Sequence, residues 1–299
     1  MEFSLHLARL LVTVVDEGHF GRAAQRLFIS TPALSQQIRK LERGLGVDLV
    51  DRSAHPVRAT AAGERFLVHA RASIAAADRA MSAVEAYRRE CAGTLRIGFI
   101  SAATGPHFRP LLDRLRRGGP ASSVQLVELA WAEQASAVRD GRVDASFMRP
   151  PVADATGLRF DVLFHEPRVV ALPATHRLAG RESVSLGDLD DEPHVTDDEA
   201  DPEWVRWWAC DPRPSGRPVS YGPSVRTITE LLEVVASGEA VAITGALVAE
   251  VHRRPDVVFV PVADIEPTPL SLCTRSDDLS SAVAEVRRVA REYARGVEP

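Results

Sequence analysis

The sequence predicts an α+β chain in three stretches: a helical N-terminal segment, one long helix, and a larger body of alternating strands and helices. Three patterns carry that expectation. Leu7, Leu10, Leu11, Val14 and Val15, then Leu34, Ile38 and Leu41, recur at helical spacing. From Leu67 to Val84, apolar residues stand alternately three and four apart, as in a heptad seam. From Leu95 onward, short strand-like apolar runs alternate with amphipathic stretches.

A chain of 299 residues has room for about two to three domains. Its net charge of −5, taken as an average, argues against a phosphate-bearing partner. The average hides two unlike parts. Residues 1–92 hold 13 basic and 10 acidic side chains, a net of +3, whereas residues 93–299 hold 23 and 31, a net of −8. Such asymmetry suggests separate tasks for the two parts. Cys91, Cys210 and Cys273 lie far apart, with no metal-ligand spacing and an odd count, which suits a reducing cytoplasm. The apolar N-terminus is broken by Glu2, His6 and Arg9, so neither a signal peptide nor a membrane span is expected. No GxSxG, GxxxxGK[ST], HExxH or GxGxxG motif is present and the histidines do not cluster. The expectation is no enzyme, no metal and no cofactor.

The first helix ends at Gly18. A second, about Gly21 to Phe28, turns Ala23, Ala24 and Leu27 inward. A third runs from about Thr31 to Gly44, with Ser30 as its N-cap and Pro32 in its first turn. Two short helices joined by a tight turn, small residues on one and a polar face on the other, describe a helix-turn-helix. Ser30, Thr31, Pro32, Ser35, Gln36, Arg39 and Lys40 form the face expected to reach base edges and phosphates, helped by Arg22. Residues 47–60 read as two short strands around a turn, a wing on which Arg52 and Arg58 are placed to hold phosphate. Together residues 1–60 are expected to form a DNA-binding domain, the alternative being a solvated face on a small helical bundle.

Residues 61–92 form a linker helix and hinge, capped by Thr60. Its seam of Leu67, Ala70, Ile74, Ala77, Met81 and Val84 is expected to pair two copies, since a two-fold reader suits a palindromic site; the alternative is an ordinary amphipathic helix packed on its own chain.

In the body, strands at 95–100, 124–129 and 144–148 alternate with helices at 106–117 and 132–140, a βαβαβ run that implies a parallel sheet. Gly118-Gly119-Pro120 and Pro150-Pro151 punctuate it. The alternation resumes with strands at 169–172, 194–196, 241–244, 257–260 and 270–274 and helices at 186–189, 202–209, 225–237 and 282–293. Ligands of open α/β sheets bind beyond the carboxyl ends of strands. Ser101, Ala130, Trp131, Arg149, Thr196, Ser224, Val225 and Thr244 stand at such ends or before a helix. Free helix N–H groups, hydroxyls and Arg149 favour an anion, so a small organic acid is expected; Arg149 serves either that anion or a packing ion pair, and Trp131 either stacks on an aromatic ligand or is a partial wall or core residue. Trp204, Trp207 and Trp208 either line a cleft or anchor a short helix, and the acidic run 197–201 reads as a solvated loop.

The first 100 residues resemble the LysR-type transcriptional regulators. The resemblance is carried by Gly18-His19-Phe20-Gly21-Arg22-Ala23-Ala24, by Ser30 to Glu42, by Leu45 to Arg52 and by Thr60-Ala61-Ala62-Gly63, and it continues to near Arg295. It implies a winged helix-turn-helix, a dimerising linker helix and a two-lobed α/β effector domain of the periplasmic-binding-protein type. Lobe I would comprise residues 93–165 and 263–299, and lobe II residues 166–262. The implied partners are double-stranded DNA carrying an interrupted palindrome, a small-molecule effector, RNA polymerase, and further copies of the chain as a dimer of dimers. The implied location is the cytoplasm, at the nucleoid when bound. Thr31 and Gln36 depart from the family's usual Gln and Arg, which bears on which bases are read.

Overall fold

The computed structural model describes residues 4–101, 105–118, 121 and 123–296. Met1 to Phe3, and the Gly119-Pro120 punctuation, lie outside the described residues. The chain divides into two compact units, residues 1–82 and 83–299.

The first unit is helical. α1 (Leu5–Glu17) starts at Ser4, whose hydroxyl accepts from Leu7 N, and stops where Gly18 turns left-handed. α2 (Phe20–Arg26) is capped by His19, whose Nδ1 accepts from Gly21 N. α3 (Thr31–Leu45) is capped by Ser30 and carries Pro32 in its first turn, where no intrahelical partner is lost. The turn between α2 and α3 passes through Phe28 in the left-handed region, its side chain 95% exposed. β1 (Val50–Asp51) and β2 (Arg58–Ala59) pair antiparallel as the wing. Leu10, Leu11, Val14, Ala23, Ala24, Leu34, Ile38 and Leu41 form one core. Ala23 and Ala24 let α2 approach its neighbours closely, as their size predicts.

α4 (Ala61–Cys91) begins with Thr60 Oγ1 accepting from Gly63 N. Its first turns close the core from below: Leu67 joins it, and Ala70 is buried. This corrects the expected seam. Leu67 and Ala70 face their own chain and are not available to a second copy. Ile74 and Ala77 are half-buried, while Met81 and Val84 are 68% and 58% exposed. The heptad pattern is thus shared between two jobs. The spacing could not reveal this, because an intrachain groove and a partner helix ask for the same periodicity.

The second unit opens with β3 (Thr94–Phe99), α5 (Gly105–Gly118), β4 (Ser123–Glu128), α6 (Gln134–Arg139) and β5 (Ala145–Met148). β3 pairs parallel with both β4 and β5, as the βαβαβ reading requires. β6 (Leu158–Glu166), not foreseen from the sequence, follows. After Pro167 alone comes β7 (Arg168–Pro173), then β8 (His194–Thr196), α7 (Pro202–Ala209), β9 (Tyr221–Ser224), α8 (Ile228–Ser237), β10 (Ala242–Gly245), α9 (Leu247–Val251), β11 (Val257–Pro261), β12 (Thr268–Arg275) and α10 (Ser281–Gly296). One sheet has the order β4-β3-β5-β12-β6, another β10-β7-β11, and β8 and β9 form a parallel pair. Two crossings join the sheets, one at Pro167 and one over residues 262–267. The first falls later than expected because Phe164, His165 and Glu166 still pair with Leu270, Pro269 and Thr268. β7 runs antiparallel to both its neighbours, so the second sheet is not a continuation of the parallel pattern. Alternate β7 residues serve opposite faces. Ala171 meets α8 through Leu231, Leu232 and Val235, whereas Val170 and Leu172 meet Leu178, Leu186 and Leu189.

Among the described residues no helix is long and apolar enough to cross a membrane. Gly63 packs so closely that a Cβ there would stand 2.0 Å from the Leu49 carbonyl oxygen. Gly63→Ala should therefore push α4 off the wing and destabilise the first unit by about 1–3 kcal/mol, read as a lowered first transition in thermal unfolding followed by circular dichroism. An unchanged transition would show that the contact yields freely.

Candidate functional site

Two sites emerge, one in each unit. In the first unit, α3 turns Leu34, Ile38 and Leu41 into the core, which obliges its other face to meet solvent. A groove of about 770 Å³ opens there, lined by Pro32, Ser35, Gln36, Arg39, Arg43 and Arg52, with Glu42 and Asp48 among its acidic members. Thr31 and Lys40 are exposed on the same helix, Arg22 on α2 and Arg58 on the wing. Ser30 remains at the surface, although its hydroxyl also accepts from Ala33 N at 3.3 Å. Arg22 leans on Glu17, with Nε 3.8 Å from its carboxylate.

Arg52 does not fulfil its expected role as a free phosphate contact. Its Nη2 donates to Glu42 Oε2 at 2.6 Å, and its guanidinium lies 5.8 Å from the Phe20 ring centre. Glu42 is 4% exposed, and its other oxygen accepts from Leu49 N and Val50 N at 2.9 and 3.2 Å. A carboxylate so enclosed needs a cation, and Arg52 supplies it. Arg43, missed in the sequence reading, follows Arg39 by four residues, and helical spacing alone could have included it.

In the second unit, strand ends converge on a cleft enclosing about 50 Å³. That is well below the roughly 300–1,000 Å³ of ligand pockets, so an organic molecule enters only as the walls part. Trp131, Arg149, Thr196 and Thr244 line it, as expected. Ser101, Ala130, Ser224 and Val225 are not among its lining residues. Ser101 Oγ is 3.2 Å from His252 Nε2. Ser224 Oγ accepts from Asp198 N at 3.0 Å. Val225 N donates to Thr196 O at 2.8 Å, so that amide is closed to a ligand, and α8 begins three residues later than expected, behind its cap Thr227. Ala130 N faces Glu133 Oε2 at 3.3 Å.

Arg149 reverses another expectation. It is 3% exposed and its Nε donates to Glu166 Oε1 at 2.6 Å. The other Glu166 oxygen accepts from Leu247 N at 2.8 Å. The arginine that was to receive an acid already holds one from its own chain.

The sequence reading missed the most distinctive wall. Asp197, assigned to a solvated loop, is 4% exposed and lines the cleft. Its Oδ1 accepts from Glu199 N and Ala200 N, while Oδ2 is buried without a protein partner. Burial raises its carboxyl above the usual range. Its place directly after β8 was the available signal. Trp204 and Trp208, one turn apart on α7, present one face to the cleft. Ring centres lie 5.6 Å apart for Trp131 and Trp204, and 6.0 Å for Trp204 and Trp208. Arg168 holds α7 in place. Its guanidinium stacks 4.1 Å from the Trp207 ring centre and donates to the Trp207 and Trp208 carbonyls at the helix's C-terminal end. His194 closes the floor: Nδ1–H donates to Val195 O at 2.7 Å and Nε2 accepts from Ile243 N at 2.9 Å. Burial pushes its pKa down to about 4. Among the described residues no His, Cys, Asp and Glu group could hold a metal ion.

Comparison with known proteins agrees with both halves. Residues 5–64 match the model of the bacterial regulatory helix-turn-helix protein, lysR family, and residues 88–295 match the LysR substrate binding domain. The chain belongs to the LysR family. It is 36% identical to the HTH-type transcriptional regulator AlsR of Bacillus subtilis over 185 residues, 62% of this chain and 61% of that protein. The match thus spans less than two thirds of that relative's length. It is 26% identical to the HTH-type transcriptional regulator BenM of Acinetobacter baylyi, covering 95% of this chain and 94% of BenM. The crystal structure of full-length BenM superposes with a TM-score of 0.55 at 26% identity, covering 99% of each chain.

Two outcomes test the second site. Glu166→Gln leaves Arg149 buried without its counter-charge and should destabilise the second unit by about 3–5 kcal/mol, measured by urea unfolding; a loss below about 1 kcal/mol would place the pair in contact with water. His194 is neutral when folded down to about pH 4, but titrates near 6.5 when unfolded. The unfolded chain therefore binds the extra proton between those values, and stability present above pH 6.5 is lost as the pH falls toward 4, by about 3 kcal/mol. His194→Gln should flatten that part of the stability profile.

Proposed function

We propose that this protein is a sequence-specific DNA-binding transcriptional regulator whose activity is controlled by a small molecule held in the cleft of its second unit. The observation that carries the reading is the exposed face of α3: Pro32, Ser35, Gln36 and Arg39 share one open groove with Arg43, and such residue types read base edges and phosphates in the major groove. Thr31 and Lys40 extend that face, and Arg22 and Arg58 supply flanking phosphate contacts. The family match at residues 5–64 supports the same reading.

Self-association follows from the site such a protein reads, an interrupted palindrome. Met81, Val84 and Tyr87 leave an apolar stripe uncovered on the second half of α4, and a second α4 covers it, with Ile74 and Ala77 at its edge. A dimer of dimers in the cytoplasm, acting with RNA polymerase at the promoter, is the assembly proposed. Effector control requires that the ligand favour one state of that assembly over another. The organic acid expected from the sequence no longer has Arg149 to receive it.

Footprinting of the protein on the DNA upstream of its own gene tests the reading, with protection of two half-sites expected and no protection at any salt concentration overturning it. Arg39→Ala should weaken operator binding. A uniform loss over all sequences, with the salt slope reduced by about one, marks a phosphate contact, whereas relaxed preference at one base pair marks base readout. Met81→Glu combined with Val84→Glu should yield monomers in sedimentation equilibrium while the helix content stays unchanged.

A further inference from the structure

We infer that the cleft of the second unit takes a small organic cation, a methylated ammonium carrying a hydrogen-bond acceptor, and not an organic acid. This rests on the reading of that cleft as the effector site and adds the class of its occupant.

The charges on the lining decide the sign. Arg149 is matched by Glu166 at 2.6 Å. His194 is neutral, with both ring nitrogens engaged by the backbone. Arg226, whose charge acts on the Asp197 carboxyl, is exposed and pairs with Glu199 at 2.8 Å; the buried Arg168 and Arg213 act on His194 but are not among the lining residues. Asp197 remains, 4% exposed, with Oδ2 buried and unpartnered. Burial works against the ionised form of this carboxyl, and a positive charge beside it is what would hold it ionised there. A carboxylate ligand would meet it with repulsion.

The aromatic walls point the same way. Trp131, Trp204 and Trp208 form a chain of rings around one small cavity. Indole faces carry negative potential and attract cations, quaternary ammonium groups above all. Ile100, Val205 and Leu231 complete an apolar surround that suits methyl groups rather than a bare, strongly hydrated ammonium. The Nε1–H groups of Trp204 and Trp208 are buried without acceptors. An occupant bearing a hydroxyl or ether oxygen would satisfy one of them. The cavity as it stands is too small even for the cationic head, so binding requires the walls to part.

The chain supplies its own reporter. All four tryptophans, at positions 131, 204, 207 and 208, lie at the cleft or beside it. Full-length protein is titrated with tetramethylammonium chloride, choline chloride and sodium pivalate, against sodium chloride at matched ionic strength. Intrinsic fluorescence is the readout, with calorimetry as a second measure. Both cations should change the emission saturably, choline at lower concentration than tetramethylammonium, while pivalate behaves as sodium chloride does. Asp197→Asn keeps the Oδ1 acceptor for Glu199 N and Ala200 N, yet should weaken both cations by about tenfold or more. Trp204→Leu removes one wall and should weaken them similarly, so the test stands even if one variant fails to fold. Saturable binding of pivalate in preference to the cations, no saturable binding of either cation, or unchanged cation affinity in a folded variant would each overturn the inference. Footprinting without any ligand judges the regulator reading separately, so the two can fail independently.

Discussion

The Glu166 carboxylate sets the terms on which the second unit is built. It ends β6 at the last residue before the crossing, is 4% exposed, and binds Arg149 through one oxygen and the Leu247 amide through the other. Three segments remote in sequence thus meet on a single group. Its presence also dictates Gly245, where a Cβ would fall 2.5 Å from the carboxylate carbon. A buried ion pair of this kind adds little net stability compared with an apolar substitute, but losing one member leaves a charge that water cannot reach. A second consequence follows for chemistry: with Arg149 so engaged, the character of the cleft passes to Asp197 and the tryptophans.

That is also where sequence reasoning stopped. Periodicity located the helices because one buried face is enough to impose it, and α7 (Pro202–Ala209) and the recognition helix α3 were read nearly to the residue. Caps were equally legible, since Ser30 and Thr60 act on amides three residues ahead. The strand β6 was missed although its signal is present: Leu158, Phe160 and Val162 alternate with Arg159 and Asp161, and only Leu163 breaks the pattern. Nor could charge partners be read. Arg149 with Glu166, and Arg52 with Glu42, are paired across 17 and 10 residues by tertiary packing, and no local pattern announces them. Asp197 was lost in its acidic neighbours, although only Asp198 and Glu199 in that run are exposed and Asp201 caps α7.

The two units solve a similar problem with similar means. In each, a buried glutamate takes one arginine and a backbone amide, two amides in the case of Glu42, and in each that arginine had looked like a ligand contact. An arginine close to a strand end or a wing is therefore poor evidence of recognition until the buried carboxylates are located. Tryptophan gave the opposite lesson. The cluster at 204–208 serves both roles open to it: Trp207 anchors α7 through Arg168, while Trp204 and Trp208 face the cleft.

Glu42 has a consequence for how such a protein can diverge. By gripping Leu49, Val50 and Arg52 at once, it fixes the wing against α3 at the edge of the exposed groove, which Glu42 and Arg52 also line. The side chains at Thr31, Gln36 and Arg39 carry none of that framework. They can be exchanged by single mutations with little effect on folding, so new recognition sequences lie within short evolutionary reach while the scaffold that presents them stays under constraint.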